Sequence, residues 1–592
     1  MNVCYFLSFV YLILMFMGGK KSDKKLCLIS SIIYSFVLLF CYNTFVIYFL
    51  YLFGMNGSIS LFSIINYFVG SIIGIIILVR GNGIQKYFID KKKLLSCFIV
   101  GILIFILGYF RFRGFNAIAF ASGDSGIHYG HTLKFSQELS ILDINNTKND
   151  VYGYFVRVMP ISYINGGLLF NILSNVKPYI VFMWFNVWCL VLSGLLFLVT
   201  LFDIYSNRSK NNLYFIFFTM LYILAFPLNN FIMGFCYLSL GIMVINLLCL
   251  TIYKFKDKFN EDIIFKIIVL FLILFSCFYS YYLFVPVIYM AVGLYYIFLC
   301  KKKVITFKQF LLYGLITLGF PFVIGYSYFF VTLFVEYGVG IVSKTLNTNG
   351  YCYVSVTSLF LFIFGTIYYG FDFRKRRKFD FLTIILMLMT IYIFVFLVLF
   401  ILERVEVYYL FKLFSLYWLF LLLYVFNKII GYRKRIYFIC LCLFGLNIYV
   451  YLFPLSDFSS LLVNSNIYSY NARHFSDSGL IYESDELDIL EKSTDYNDIC
   501  VDDRHFLLLG GNVKHIWAYF ITDNIPVVGS TTGHISYLFN NKLNGFKEFE
   551  EDNRYRCLIY YYEDRDININ KDKYDVLYEN DKGAIIKKKN IS

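Results

Sequence analysis

The residues best suited to chemistry lie together in Ala121-Ser-Gly-Asp-Ser-Gly-Ile-His-Tyr-Gly-His131, which holds two of the six histidines of the chain. Gly123 and Gly126 flank Asp124, and the sequence HTLKFSQEL continues as a polar helical pattern. On a helix that starts before Asp124, positions i, i+4 and i+7 share a face, so Asp124, His128 and His131 bring one carboxylate and two imidazoles together. Such a set supports three readings. Asp124 acts as a general base or orienting carboxylate, with His128 orienting it or sharing its proton. Alternatively, Asp124, His128 and His131 hold a divalent cation, Mg or Mn, the one cofactor the sequence raises. In the plainest reading, Asp124 after a glycine is a helix cap and nothing more. Tyr129 and His131 stand beside the pair as candidate substrate contacts.

A second set is cationic. Arg111, Arg113, Arg157, Lys177, Lys344, Arg404 and Lys412 all lie near the ends of apolar segments, on the side of the chain that is otherwise poor in Lys and Arg. Lys412 falls inside an apolar run, where an ionisable group is a functional candidate by default. Arg404 sits between Glu403 and Glu406, just ahead of Tyr408. Arginine binds phosphate through a planar fork and lysine as a point charge. The competing reading is that these cations snorkel to lipid headgroups or pair with Glu403 and Glu406.

The elements that position these groups follow from composition. The 592 residues are 59% hydrophobic, 21% aromatic and only 15% charged, with a mean hydropathy of +0.68. A soluble domain carries about 25% charged residues, so a nucleic-acid binder, a secreted disulfide module and an ordinary cytosolic enzyme are excluded. A membrane core of ~30 Å takes about 20 apolar residues per helix. Fourteen spans are expected, near 3–18, 26–53, 59–79, 94–110, 178–202, 213–227, 231–253, 264–282, 283–300, 311–335, 354–371, 381–402, 408–426 and 436–453. Seven alternate loops hold 28 Lys and Arg against nine on the other side, the tail excluded. By the positive-inside rule those loops are cytoplasmic. Both termini, the 111–177 loop and the 455–592 tail are then extracytoplasmic, and the membrane is the cytoplasmic one.

Charge divides the chain as well. Residues 1–454 hold 37 Lys and Arg against 15 Asp and Glu, and residues 455–592 hold 15 against 23. The expected fold is an all-α polytopic membrane bundle with a C-terminal extracytoplasmic α/β domain. Its parts are N-terminal membrane helices (1–110), an outer loop (111–177), further membrane helices (178–454) and the C-terminal domain (455–592). Most other outer connections are minimal, such as Leu228–Asn230. Within the loop, 159–173 is apolar but too short to span, which predicts a helix lying in the membrane interface. In the tail, strands are expected at Asp498–Asp502, Ile525–Val528, Tyr555–Tyr562, Tyr574–Tyr578 and Ala584–Lys588, with helices near 483–493 and 513–522. Eleven of the 14 cysteines lie in apolar runs and there is no CxxC, which argues against a disulfide framework or a zinc site.

Taken together, the multi-span chain, the long early outer loop with Asp124 at its helical start, the short apolar helix and the outer C-terminal domain resemble the GT-C superfamily of membrane glycosyltransferases. Gly123-Asp-Ser-Gly-Ile-His128 looks like the acidic motif of their first outer loop. Ser280-Tyr-Tyr-Leu-Phe-Val-Pro286 and Val407-Tyr-Tyr-Leu-Phe-Lys412 look like segments of Gram-positive proteins of this kind. The resemblance covers most of 94–592. Many relatives carry paired acids where Ser125 follows Asp124 here, and most have one helix before the loop rather than four. The resemblance implies sugar transfer from a polyprenyl-phosphate-linked donor to a glycan or lipid acceptor at the outer leaflet, among membrane lipids and without nucleic acid. Asp124 and His128 would be catalytic, and Arg111, Arg113, Tyr129, His131, Arg157, Arg404, Tyr408 and Lys412 would contact substrate. The alternatives are a flippase or transporter of lipid-linked oligosaccharides, a polymerase of the O-antigen type, and a structural membrane protein with a recognition tail.

Overall fold

The structure, a computed structural model, describes residues 26–52, 87–122, 124–137, 160–205, 212–256, 258–330, 380–402, 404–405, 407–429, 480–496, 506–508, 512–522, 527–528, 556–562 and 570–589, with a few single positions besides. Runs of Leu, Ile, Phe and Val without helix breakers form the long helices. Strand β1 (Leu26–Cys27) leads into α1 (Leu28–Leu52), and β2 (Tyr87–Phe88) precedes α2 (Lys91–Arg111). β3 (Ile118–Ala119), α3 (Asp124–Gln137) and α4 (Pro160–Ile172) belong to the connection before α5 (Pro178–Tyr205). Then come α6 (Asn212–Ile223), α7 (Phe226–Met233), α8 (Cys236–Phe255), α9 (Ile263–Ser280) and α10 (Val285–Lys301). α11 (Phe307–Tyr313) continues through a π-helical turn at Gly314–Gly319 into α12 (Phe320–Phe330), and α13 (Phe381–Ile401) and α14 (Val407–Ile429) follow.

Among the described residues, nine helices are long and apolar enough to cross a membrane, or ten when the bent pair α6 and α7 is counted as one span. The expected spans 3–18, 59–79, 354–371 and 436–453 lie wholly or largely outside the described residues. One expected boundary moves. Leu228–Asn230, read as a minimal loop, lies inside α7, which is bent 42° from α6. Pro227 suits the first turn of a helix, and Gly234 ends α7 with the positive φ of 76° that a C-terminal cap requires.

α8 and α14 are buried along nearly their whole lengths and form the centre of the bundle. α2, α11 with the π-helical turn after it, and α13 lie at the rim and leave Phe98, Phe110, Leu315 and Ile401 exposed. Contiguous apolar surface of this kind is what a lipid-facing helix presents. α4 differs from the interfacial helix expected at 159–173. It is buried from Pro160 through Leu168, on every side rather than along one stripe, because α1, α3 and α5 surround it.

The two ends of the bundle have different chemistry. At one end the start of α1 and α2 meets the finish of α5 and α8 around Asp203. Lys93 Nζ lies 2.5 Å from Asp203 Oδ1 and Lys254 Nζ 2.9 Å from Oδ2. The Tyr34 hydroxyl donates to Oδ2 at 2.5 Å, and Ser30 Oγ to Oδ1 at 3.2 Å. Four helices thus converge on one carboxylate.

The other end carries the C-terminal part. It comprises β4 (Leu480–Tyr482), α15 (Ser484–Thr494), β5 (Phe506–Leu508), α16 (Asn512–Ile521), β6 (Val527–Val528), β7 (Cys557–Tyr561), β8 (Tyr574–Asn580) and β9 (Gly583–Lys588). The last five strands form one sheet in the order β6-β5-β7-β9-β8, parallel from β6 to β7 and antiparallel beyond. Asn580 and Gly583 close the final hairpin, and Asn580 Oδ1 accepts from the Lys582 N–H at 2.9 Å. The expected strand at Asp498–Asp502 lies outside the described residues. Cys557 is disulfide-bonded. It is one of three cysteines in polar surroundings, so the scarcity of polar cysteines did not rule out a single bridge.

The network around Asp203 generates a stability prediction. Asp203→Asn leaves two lysines with no counter-charge, and breaking a buried pair from one side costs about 3–5 kcal/mol. The detergent-purified variant is expected to melt well below the wild type. An unchanged melting temperature would show that the bundle does not depend on this junction.

Candidate functional site

α3 starts at Asp124, so the face that carries Asp124, His128 and His131 forms as the spacing predicts. The cap is supplied by another residue. Ser122 Oγ accepts the Asp124 N–H at 3.2 Å, and the Ser122 carbonyl accepts Ser125 N–H at 3.2 Å and Ser125 Oγ–H at 2.7 Å. Capping is therefore satisfied by Ser122 and does not use the Asp124 carboxylate. At the first position of a helix that carboxylate also faces the positive end of the helix dipole.

The groups that meet the His128 side of α3 come from α4 and α8, with Lys412 of α14 bonded to Tyr237 of α8. His128 Nδ1 is 2.7 Å from the Tyr163 hydroxyl of α4, and its ring lies 5.0 Å from that of Tyr237 on α8. The Tyr237 hydroxyl accepts from Lys412 Nζ of α14 at 2.8 Å. Lys412 is only 3% exposed. Its ammonium sits among three rings, Tyr281 at 4.8 Å, Tyr237 at 5.2 Å and Phe235 at 5.3 Å. Removing an ammonium from water costs several kcal/mol, and each ring face returns about 0.5–2 kcal/mol. Two segments singled out in the sequence, Ser280–Pro286 and Val407–Lys412, thus meet at Tyr281 and Lys412.

Electrostatics couples these residues. Burial raises the Asp124 carboxyl above its usual range, and the Lys412 ammonium opposes that rise. Burial holds the His128 imidazole well below 6.5, reinforced by His131 and Lys412. His128 is accordingly neutral at physiological pH, with one ring nitrogen engaged by Tyr163. The neutral imidazole and the fixed ammonium meet at Tyr237, and the half-buried Asp124 feels the ammonium charge, a grouping that suits proton abstraction beside an anionic group.

A metal does not fit as well. Among the described residues, no three His, Cys, Asp or Glu groups converge as an ion would require. The face from Asp124 to His131 runs about 10 Å along the helix, too long for one coordination sphere. The Lys412 charge stands where a second cation would be repelled.

The remaining candidates fall elsewhere. Arg111 is buried and donates from Nε to the Ala119 carbonyl at 3.0 Å and from a terminal nitrogen to the Phe475 carbonyl at 2.8 Å. Arg113 pairs with Glu483 at 2.5 Å and Lys177 with Glu491 at 2.6 Å. β3 pairs antiparallel with β4, Ile118 opposite Tyr482. These residues join the loop to the C-terminal part. Tyr129 is buried against Trp517 of α16, stacked at 4.8 Å, and His131 lies against the Tyr163 ring at 5.6 Å. Arg404 is exposed in the turn between α13 and α14. Arg157 and Lys344, and the side chains of Glu403, Glu406 and Tyr408, lie outside the described residues.

Sequence reasoning missed Tyr163, Tyr237, Phe235 and Trp517. Trp517 is fully buried, stacked between Phe120 and Tyr129, and its Nε1 donates to Ser125 Oγ at 3.2 Å. Gly126 and Gly130 make that approach possible. A Cβ at Gly126 would sit 2.8 Å from Ile516, and one at Gly130 2.2 Å from the Phe520 ring. Gly126 thus admits α16 rather than a ligand. Compared with protein families and with curated proteins, the sequence matches none.

Proposed function

We propose that this protein is a membrane glycosyltransferase that takes sugar from a polyprenyl-phosphate-linked donor at the outer face of the cytoplasmic membrane. The observation that carries the reading is the buried Lys412 ammonium, which meets His128 through Tyr237 and acts on the charge of Asp124. A lipid-linked phosphate needs a fixed cation near headgroup depth, and Lys412 supplies it. An acceptor hydroxyl needs a base, and Asp124 is the carboxylate at hand, with His128 as its neutral neighbour. The phosphate is already a good leaving group, so positioning and charge stabilisation supply most of the catalysis. Arg111, Arg113 and Tyr129 are assigned here to joining the loop and the C-terminal part, not to substrate.

The outward orientation rests on two independent features. Lys and Arg favour the opposite loops by 28 to nine, and the Cys557 disulfide suits an oxidising compartment. A cysteine placed at the exposed Asp581 turn is expected to react with an impermeant maleimide in intact cells. Reaction only after lysis would reverse the topology.

A flippase for lipid-linked oligosaccharides is the second reading, and the break between α6 and α7 favours it, because transporters use broken helices at their binding sites. Reconstituted protein separates the two. With Asp124→Asn the carboxylate loses its charge while Ser122 still caps α3, so the melting temperature is expected to stay near the wild-type value. Sugar transfer from a polyprenyl-phosphate donor is expected to fall about 10²–10⁴-fold. Translocation of labelled lipid with no transfer by the wild type would select the flippase. Full transfer by a folded Asp124→Asn variant would remove Asp124 from the chemistry.

A further inference from the structure

The least satisfied polar groups near the site are on α7 and in the turn after α9. Asn230 is fully buried, and among the described residues neither its Nδ2 nor its Oδ1 has a hydrogen-bond partner. The Tyr281 hydroxyl, on a residue 1% exposed, has none either. Native proteins keep few such groups, and each calls for an explanation. The neighbouring Asn229 shows the contrast on its nitrogen, while its Oδ1 is also unmatched among the described residues. Asn229 Nδ2 donates to Asn471 Oδ1 at 2.8 Å, and Asn471 Nδ2 donates to the Leu224 and Ala225 carbonyls at 2.9 and 2.6 Å. Asn229 and Asn471 therefore hold the break between α6 and α7, a task in which Asn230 has no part.

The Tyr281 ring borders Lys412, and Asn230 belongs to α7, which packs on α14. Phe226, one helical turn before Asn230, packs on Phe411 of α14 at 5.4 Å, so this face of α7 is turned toward α14. At the end of α7 the Phe235 N–H donates to the Asn230 carbonyl at 2.8 Å, and the Phe235 ring lies 5.3 Å from the Lys412 ammonium. The Tyr281 ring approaches the same ammonium to 4.8 Å.

The chemistry of the two groups identifies what they would bind. A carboxamide offers donors and an acceptor, and a phenol offers one of each. Phosphate oxygens accept, so a phosphate leaves the Asn230 carbonyl oxygen unmatched. A hydroxyl satisfies both kinds of group. We infer that Asn230 and Tyr281 form a hydroxyl-binding subsite that reads the sugar of a lipid-phosphate sugar, beside the ammonium that takes its phosphate. The inference rests on the function proposed above and adds the residues that select the sugar. Sites built to hydrogen-bond a hydroxyl discriminate strongly against ligands that lack it.

The test uses detergent-purified full-length protein and farnesyl phosphate, either bare or carrying glucose, galactose, mannose or N-acetylglucosamine, with ligand affinity read from the shift in melting temperature. The wild type is expected to respond to bare farnesyl phosphate and to bind at least one glycosylated form more tightly. Asn230→Leu removes an unmatched buried amide, so its ligand-free melting temperature should rise. Its response to the bare lipid should remain, while the preference for the glycosylated form disappears. Tyr281→Phe, nearly isosteric, is expected to weaken the sugar-dependent part of the affinity about tenfold or more. Equal response of the wild type to bare and glycosylated lipid overturns the subsite and leaves the phosphate reading intact. A full sugar preference in either variant also overturns it, with the amide then serving structure alone. No response of the wild type to any of these lipids overturns the phosphate reading, and the subsite with it.

Discussion

A lysine ammonium held away from water is the constraint around which this end of the bundle is arranged. Lys412 is stabilised by the Tyr237 hydroxyl and by three ring faces from α8 and the turns before α8 and α10. Those rings are positioned by helix breaks. The left-handed Gly234 lets the chain reverse from α7 so that Phe235 and Tyr237 reach the ammonium. Tyr281 reaches it from the extended residue where α9 ends. The same charge draws Asp124 toward its ionised form and His128 toward its neutral one. Three residues from two distant parts of the sequence thereby act as one electrostatic unit.

The loop that bears Asp124 is held in place from outside the membrane helices. Trp517 is inserted between Phe120 and Tyr129, and aromatic pairs of this geometry contribute about 0.5–1.5 kcal/mol each beyond burial. The β3–β4 pairing and the ion pairs of Arg113 with Glu483 and Lys177 with Glu491 add register more than energy, because exposed pairs are worth about 0–1 kcal/mol. The contact between α3 and α16 therefore links the C-terminal part directly to the helix that carries the candidate base. At the far end, Asp203 performs the comparable joining task with lysines and hydroxyls instead of rings.

The hydropathy pattern made the long helices legible, since α2, α5, α8, α9, α10, α13 and α14 each fill an apolar run of spanning length. The face that joins Asp124 to His128 was legible for a similar reason, as helical spacing fixes it locally. Lys412 stood out because a charge inside an apolar run is costly. What the sequence did not reveal is partnership. A bias in loop charge places Arg111 and Arg113 on the sparse side of the chain, but it says nothing about the Ala119 carbonyl or Glu483 that engage them. A short apolar helix has the same composition in an interface as in a core, so composition alone does not tell an interfacial α4 from one enclosed by α1, α3 and α5. Trp517 carries no periodic signal that points to Gly126 and Gly130, which lie about two thirds of the chain away.

Whether Lys412 holds the phosphate of a lipid decides the function proposed for this site. Retention of a polyprenyl phosphate by the full-length protein, measured by native mass spectrometry on release from detergent, tests this directly. Lys412→Gln keeps a hydrogen-bonding end near Tyr237 and removes the charge, while Arg113→Gln removes an exposed cation already paired with Glu483. Affinity is predicted to fall at least about tenfold for Lys412→Gln, a loss in the range of one charge-assisted hydrogen bond, and to stay at the wild-type level for Arg113→Gln. Equal retention of the lipid by a folded Lys412→Gln protein would contradict the account.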